Sequence, residues 1–144
     1  MRKSTKRMLR DAIVAHLVSQ DGGTDLDGVD VVAAMNGEEL STKHIRVTTD
    51  TSTPQNAGEL NLGRWDITAS ITVATQIDDV DGDTHDDLAG LIEDYIMQGN
   101  KTLAAAYTVS GIQVDNVMMS DSLELVSESM RYTAFQLVCE CYKA

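Results

Sequence analysis

The chain has 144 residues, 42% of them hydrophobic, with 11 Lys and Arg against 23 Asp and Glu and a formal charge of −12. That length suits one domain, residues 1–144, with a substantial core, and the hydrophobic share excludes disorder throughout. A pI near 4.4 excludes broad binding to nucleic acid or anionic membranes, which need a cationic surface.

Taken in chain order, the first feature is a basic arm, residues 1–7. Arg2, Lys3, Lys6, Arg7 and Arg10 place five of the 11 basic residues in the first ten positions, so the rest of the chain carries a net −17. Met8, Leu9, Ala12, Ile13 and Leu17 recur at helical spacing, which predicts a helix over about 8–18, ending near Gln20 before Asp21-Gly22-Gly23. Cations at a helix start oppose its dipole. The arm is therefore expected to stay solvated or to find acidic surface, including that of another subunit. The apolar stretch Ala12–Val18 is interrupted by His16 and too short to span a bilayer. A cytosolic chain is expected, with an amphipathic, Arg-rich mitochondrial presequence as the alternative.

Val29–Met35 is a short apolar run followed by Asn36-Gly37, the preferred centre of a type I′ turn. This predicts a hairpin into a strand over about His44–Asp50. Residues 51–63, with the chain's single proline and two of its glycines, then read as a long polar loop or an extended hairpin tip, of a length uncommon inside a compact domain unless it acts or stays disordered. Trp65–Ile77 alternates strictly, with Trp65, Ile67, Ala69, Ile71, Val73 and Ile77 on one face and Asp66, Thr68, Ser70, Thr72 and Gln76 on the other, the pattern of a half-buried strand. Trp65 reads as core, or as an interface anchor.

Asp78–Asp83 leads into a second helix whose Leu88, Leu91, Ile92, Tyr95 and Ile96 form an apolar stripe. Thr84 and Asp87 imitate a capping box, and Gly99 is the expected C-cap, with another turn or two over Lys101–Tyr107. The acidic run Asp78, Asp79, Asp81, Asp83, Asp86 and Asp87 suggests a cation site, but counting from Asp79 the glycine falls at the fourth position, where the EF-hand loop needs it at the sixth. A solvated turn is the simpler reading and a weak calcium or magnesium site the alternative. Gly111–Met119 and Arg131–Tyr142 complete the strands. Ser120–Ser129 is read as an acidic connection or a continuation of either.

Cys139 and Cys141 lie on one strand face, roughly 6.5–7 Å apart, too far for an ordinary disulfide. They are expected to be core thiols. A zinc site with His16, His44 or His85 is the alternative, without the paired CxxC spacing that such sites favour. No GxSxG, Walker, GxGxxG or HExxH motif occurs. No catalytic, metal-binding or cofactor-binding residue is assigned, and an enzyme is not expected. The order helix, three strands, helix, two strands predicts an α+β fold, a mainly antiparallel sheet of about five strands with two helices packed on one face.

This pattern, with "RWDITASITVATQIDDVDGDTHDDLAGLIEDYI" at its centre and "GIQVDNVMMSDS…MRYTAFQLVCECY" at its end, resembles the tail-terminator, or tail-completion, proteins of tailed bacteriophages over roughly residues 8–142. The resemblance implies a structural virion protein, assembled in the host cytoplasm. It would form a homo-oligomeric ring, by analogy a hexamer, at the head-proximal end of the tail. Its partners would be copies of itself, the tail-tube protein and a neck or head-completion protein. DNA would pass through without being specifically bound. Arg2, Lys3, Lys6, Arg7 and Arg10, the loop residues Thr53, Pro54 and Gln55, and Asp79, Asp81 and Asp83 are the candidate subunit-interface residues. The alternatives are another head–tail connector, a minor tail or tail-tube protein, or a small cytosolic binding domain.

Overall fold

The computed structural model describes residues 4–20, 29–33, 42–54, 64–109 and 111–143. They form an α+β fold: α1 (Thr5–Gln20), β1 (Asp30–Ala33), β2 (Lys43–Pro54), β3 (Trp65–Gln76), α2 (Gly82–Val109), β4 (Ile112–Val126) and β5 (Met130–Lys143). The sheet order is β1-β2-β3-β5-β4. Every neighbouring pair is antiparallel except β1 with β2.

The helix begins earlier than the apolar periodicity suggests. Ser4 caps it, its hydroxyl accepting the Arg7 N–H at 3.1 Å, which satisfies one of the donors a helix start leaves open. Lys6, Arg7 and Arg10 therefore lie inside α1, and the expected arm 1–7 is helix from Thr5 onward. Lys6 Nζ donates to the Asp50 carbonyl at 2.6 Å, and Thr49 Oγ1 donates to the Lys6 carbonyl at 3.3 Å. Both contacts fall where the β2–β3 register shifts between Thr49 and Ser52. An irregularity of this kind interrupts the ladder, and here it meets the helix start.

The predicted Asn-Gly hairpin is not formed, because β1 runs parallel to β2, with Asp30 opposite His44 and Ala33 opposite Val47. A two-residue turn can join only antiparallel strands. Asn36 and Gly37 lie outside the described residues. The first four residues of the expected 51–63 segment are strand: β2 continues to Pro54, with Thr53 opposite Asp66 and Pro54 opposite Trp65, and residues 55–63 lie outside the described residues.

Strand β3 follows its alternation closely, with Ile67, Ala69, Ile71 and Val73 buried and Asp66, Thr68, Ser70 and Thr72 half-buried. Those buried residues join Ile45 and Val47 of β2 and Phe135, Leu137, Cys139 and Cys141 of β5 in one core. Leu9, Ala12, Ile13 and Leu17 of α1 and Leu88, Ala89, Ile92, Tyr95 and Ile96 of α2 pack into the same cluster. Trp65 is half-buried against it. Both cysteines are buried thiols outside any disulfide. Burial, and then the neighbouring Cys141, push the Cys139 thiol up to about 12, so it stays protonated.

The second helix is capped one turn earlier than expected and runs a good deal further. Asp81, not Thr84, is its N-cap, its Oδ1 accepting the Thr84 N–H at 2.7 Å. The bonds from the Thr84 side chain and backbone hold the Asp81 carboxyl below its ordinary range. The helix passes through Gly99 to Val109. Its end is marked instead by Gly111, which has φ of +80°, the left-handed conformation that closes helices. A β-carbon added there would sit 3.2 Å from Met8 Cε. Gly111→Ala is therefore expected to destabilise the fold by about 1–2 kcal/mol, from the positive φ together with the Met8 contact. Urea unfolding of the two proteins would measure it.

Candidate functional site

No catalytic or metal-binding residue is predicted from the sequence, so the candidate site is a surface, and β4 supplies it. Ser120–Ser129 is not a free connection. Strand β4 continues to Val126 and turns at Ser127–Met130 into β5. The turn is closed by the Ser127 N–H donating to the Met130 carbonyl at 2.8 Å and the Met130 N–H donating to the Ser127 hydroxyl at 3.0 Å. Register shifts between Val114 and Asn116 and between Met119 and Asp121 each add one residue to β4. Each shift moves the side-chain alternation by one position. Val117 and Met119 pack against the core. Beyond the second shift, Ser122 and Glu124 stand opposite the core residues Phe135 and Thr133, whereas Leu123 and Leu125 pair with Ala134 and Tyr132.

Met118, Leu123 and Leu125 consequently point away from the buried cluster and are 57%, 57% and 59% exposed, with Val126 at the turn more exposed still. They alternate with Asp121, Glu124 and, in the turn, Glu128, all exposed. In the sheet order β4 lies at an edge. Along Ile112–Val126 there is no lysine or proline; the two register shifts and the acids Asp121 and Glu124 are the features that guard this edge against indiscriminate pairing, and large apolar side chains stand exposed among them. Apolar side chains gathered on such an edge mark interaction surfaces.

The candidate interface residues named from sequence are dispersed. Arg7 is exposed at the start of α1, and Arg10 is half-buried with its Nε enclosed and without a hydrogen-bond partner among the described residues. Lys6 is spent on the Asp50 carbonyl within the chain. Thr53 and Pro54 belong to the β2–β3 ladder. Asp79 and Asp83 are exposed at the start of α2, whereas Asp81 is its cap. Arg2, Lys3 and Gln55 lie outside the described residues. The β4 leucines were missed. Their signal, apolar residues alternating with acids in "SDSLELV", is present in the sequence, where it reads as an acidic connection or a continuation of either strand; the second alternative holds, since β4 runs on to Val126.

The histidines have structural surroundings. His85 is buried at the start of α2, its Nδ1 2.7 Å from Thr75 Oγ1 and its Nε2 2.9 Å from Thr133 Oγ1. A neutral imidazole donates from one nitrogen and accepts at the other, and each hydroxyl can do either. The ring thereby ties α2 to both β3 and β5. Burial lowers its pKa, with Arg131 adding to the effect and Asp86 and Glu124 opposing it. The cleft beside it, about 80 Å³, is far smaller than ordinary ligand pockets. His16 donates from Nε2 to the Tyr95 carbonyl at 3.2 Å, and burial lowers its pKa as well. Among the described residues, no three His, Cys, Asp or Glu side chains are grouped so as to hold a metal ion. No described helix is long and apolar enough to cross a membrane.

The chain matches no protein-family model and no curated protein.

Proposed function

We propose that this protein is a structural component of a phage tail, a ring-forming tail-terminator subunit that ends tube growth and meets the neck. The reading rests on the exposed apolar edge of β4. Its support is an α+β fold of the expected class together with two unlike sheet edges, the long β4 and the four-residue β1. A closed ring needs two different, complementary surfaces on each subunit. In this reading both helices cover one face of the sheet, and the outer β4–β5 surface meets a neighbouring subunit. The acidic surface lines a bore that DNA phosphates pass without sticking. The protein then belongs in the virion, needs no cofactor and performs no catalysis.

Mass photometry of the purified chain is expected to show discrete closed rings. Leu123→Glu/Leu125→Glu should abolish them, raising the dissociation constant at least tenfold, with little change in melting temperature because both side chains are already exposed. Added to polymerising tail-tube protein, the native chain should stop elongation and the double variant should not. A native chain that stays monomeric at every concentration would overturn the reading. Continuous filaments would favour the tube-subunit alternative.

A further inference from the structure

The edge of β4 is partly satisfied by the strand's own side chains. In an antiparallel pair, residues turn their backbone N–H and C=O alternately toward the partner strand and away from it. The turn into β5 fixes the phase, since the Ser127 N–H bonds the Met130 carbonyl and Val126 then stands opposite Arg131. Counting back from Ser127, the residues Val126, Glu124 and Ser122 direct their backbone groups to the open side. No further strand follows β4 there in the sheet order of the described residues.

Of these groups the Ser122 N–H already has a partner. It donates to Asp121 Oδ1, the carboxylate of the preceding residue, at 2.8 Å. Asp121 is exposed, so its charge stands at the rim beside a donor that an incoming strand would need. A carbonyl approaching that N–H meets a carboxylate, and both groups can only accept.

The register shift beside it is held in the same way. Ser120 is the residue with no opposite number, since Met119 pairs with Leu137 and Asp121 with Gln136. Its hydroxyl donates to the Gln136 carbonyl at 3.3 Å, a side-chain bond to β5 at the point where the ladder is interrupted. Bulges of this kind bend the strand and increase its twist. On the half of β4 beyond the bulge, the edge groups left for a straight partner are those of Glu124, Val126 and the Ser122 carbonyl.

We propose that Ser120 and Asp121 close the β4 edge to strand addition, so that a partner meets this strand only through side chains on its outer face. There Met118, Leu123 and Leu125 stand opposite Val138, Ala134 and Tyr132 of β5. A side-chain contact on that face is limited by its area. Strand addition has no such limit, because each added strand presents a new edge. The inference concerns the manner of contact and goes beyond the ring reading, on which it does not depend.

The test removes the block from the full-length chain by deleting Ser120 and changing Asp121→Val. Without Ser120 the Met119–Leu137 pair is followed directly by residue 121 opposite Gln136, so the leucines keep their face. Valine lacks the acceptor oxygen. Once checked for a native melting transition, this variant is expected to self-associate at least about tenfold more tightly than the native chain, with growth positive for thioflavin T, because main-chain bonds give strand addition its affinity. Adding Leu123→Thr/Leu125→Thr should leave that extra association in place. Asp121→Asn, which keeps the side-chain oxygen, should behave as the native chain. If the deletion does not fold, Asp121→Val alone carries the test, with faster amide exchange at Ser122 as its second readout. An opened chain that associates no more than the native one would overturn the inference, as would extra association lost with the leucines. Native rings beside an unchanged opened variant would overturn the closed edge and leave the ring reading standing. A native chain that stays monomeric while its opened variant polymerises would do the reverse.

Discussion

Ile71→Ala is expected to cost about 2–5 kcal/mol of folding stability, a large share of the roughly 5–15 kcal/mol that holds a domain together. Ile71 is 1% exposed at the middle of β3, the central strand, between Val47 of β2 and Phe135 of β5. Those neighbours are held by the ladder on either side, so they cannot collapse into the space left behind. The cavity penalty adds to the lost apolar burial. The residue that follows gives the control. Thr72 is half-buried and points to the other face, between Arg46 and Ala134, and Thr72→Ala should cost under about 1 kcal/mol. Guanidinium unfolding of both variants checks the pair, and equal losses would mean that the buried and open faces of β3 have been misassigned.

His85→Ala should cost about 2–4 kcal/mol, through the space vacated and the two threonine hydroxyls left without the ring. Its second signature is in the pH dependence. Burial lowers the folded-state pKa of both His85 and His16 below the ordinary 6.5. The unfolded chain therefore takes up protons first as the solution is acidified. The stability held by these neutral rings is complete above about pH 6.5 and is lost as pH falls below that value toward the folded pKa. The melting temperature is expected to be flat from about pH 7 to 8 and to drop toward pH 5. In His85→Ala that slope should be visibly shallower. A variant with the native slope would remove His85 from the acid response.

The legible parts of the fold were those in which one periodicity governed a whole element. β3 alternates from Asp66 to Val73, α1 and the first half of α2 carry full apolar stripes, and β5 alternates from Thr133 to Cys141. The failures share a physical cause, a local signal overridden by contacts distant in sequence. Asn36-Gly37 favours a hairpin locally, yet β1 gains its pairing along β2 in the parallel sense. Gly99 looks like a helix end, but α2 is long enough to run on to Gly111, where the positive φ and the approach of Met8 require a glycine. In β4 the two register shifts change which residues face the core midway along the strand, so no single period describes it. The candidate surface was hidden by the same shifts, because Leu123 and Leu125 look like ordinary strand residues until their face is known. Of the residues proposed from charge, Arg7, Asp79 and Asp83 remain on open surface, while Lys6 and Asp81 serve the chain's own helix starts.

The strand order also has a temporal meaning. β5 is the last of these strands to be synthesised, yet it lies between β3 and β4 rather than at a rim. Until it emerges from the ribosome, one side of β3 has no partner, and β4 has no strand to pair with. At synthesis rates of about 5–20 residues per second, that side of the sheet waits for the final fourteen-residue strand. A chain stopped just short of β5 would therefore lose the middle of its sheet rather than its margin, with the flanks of β3 left open to aggregation.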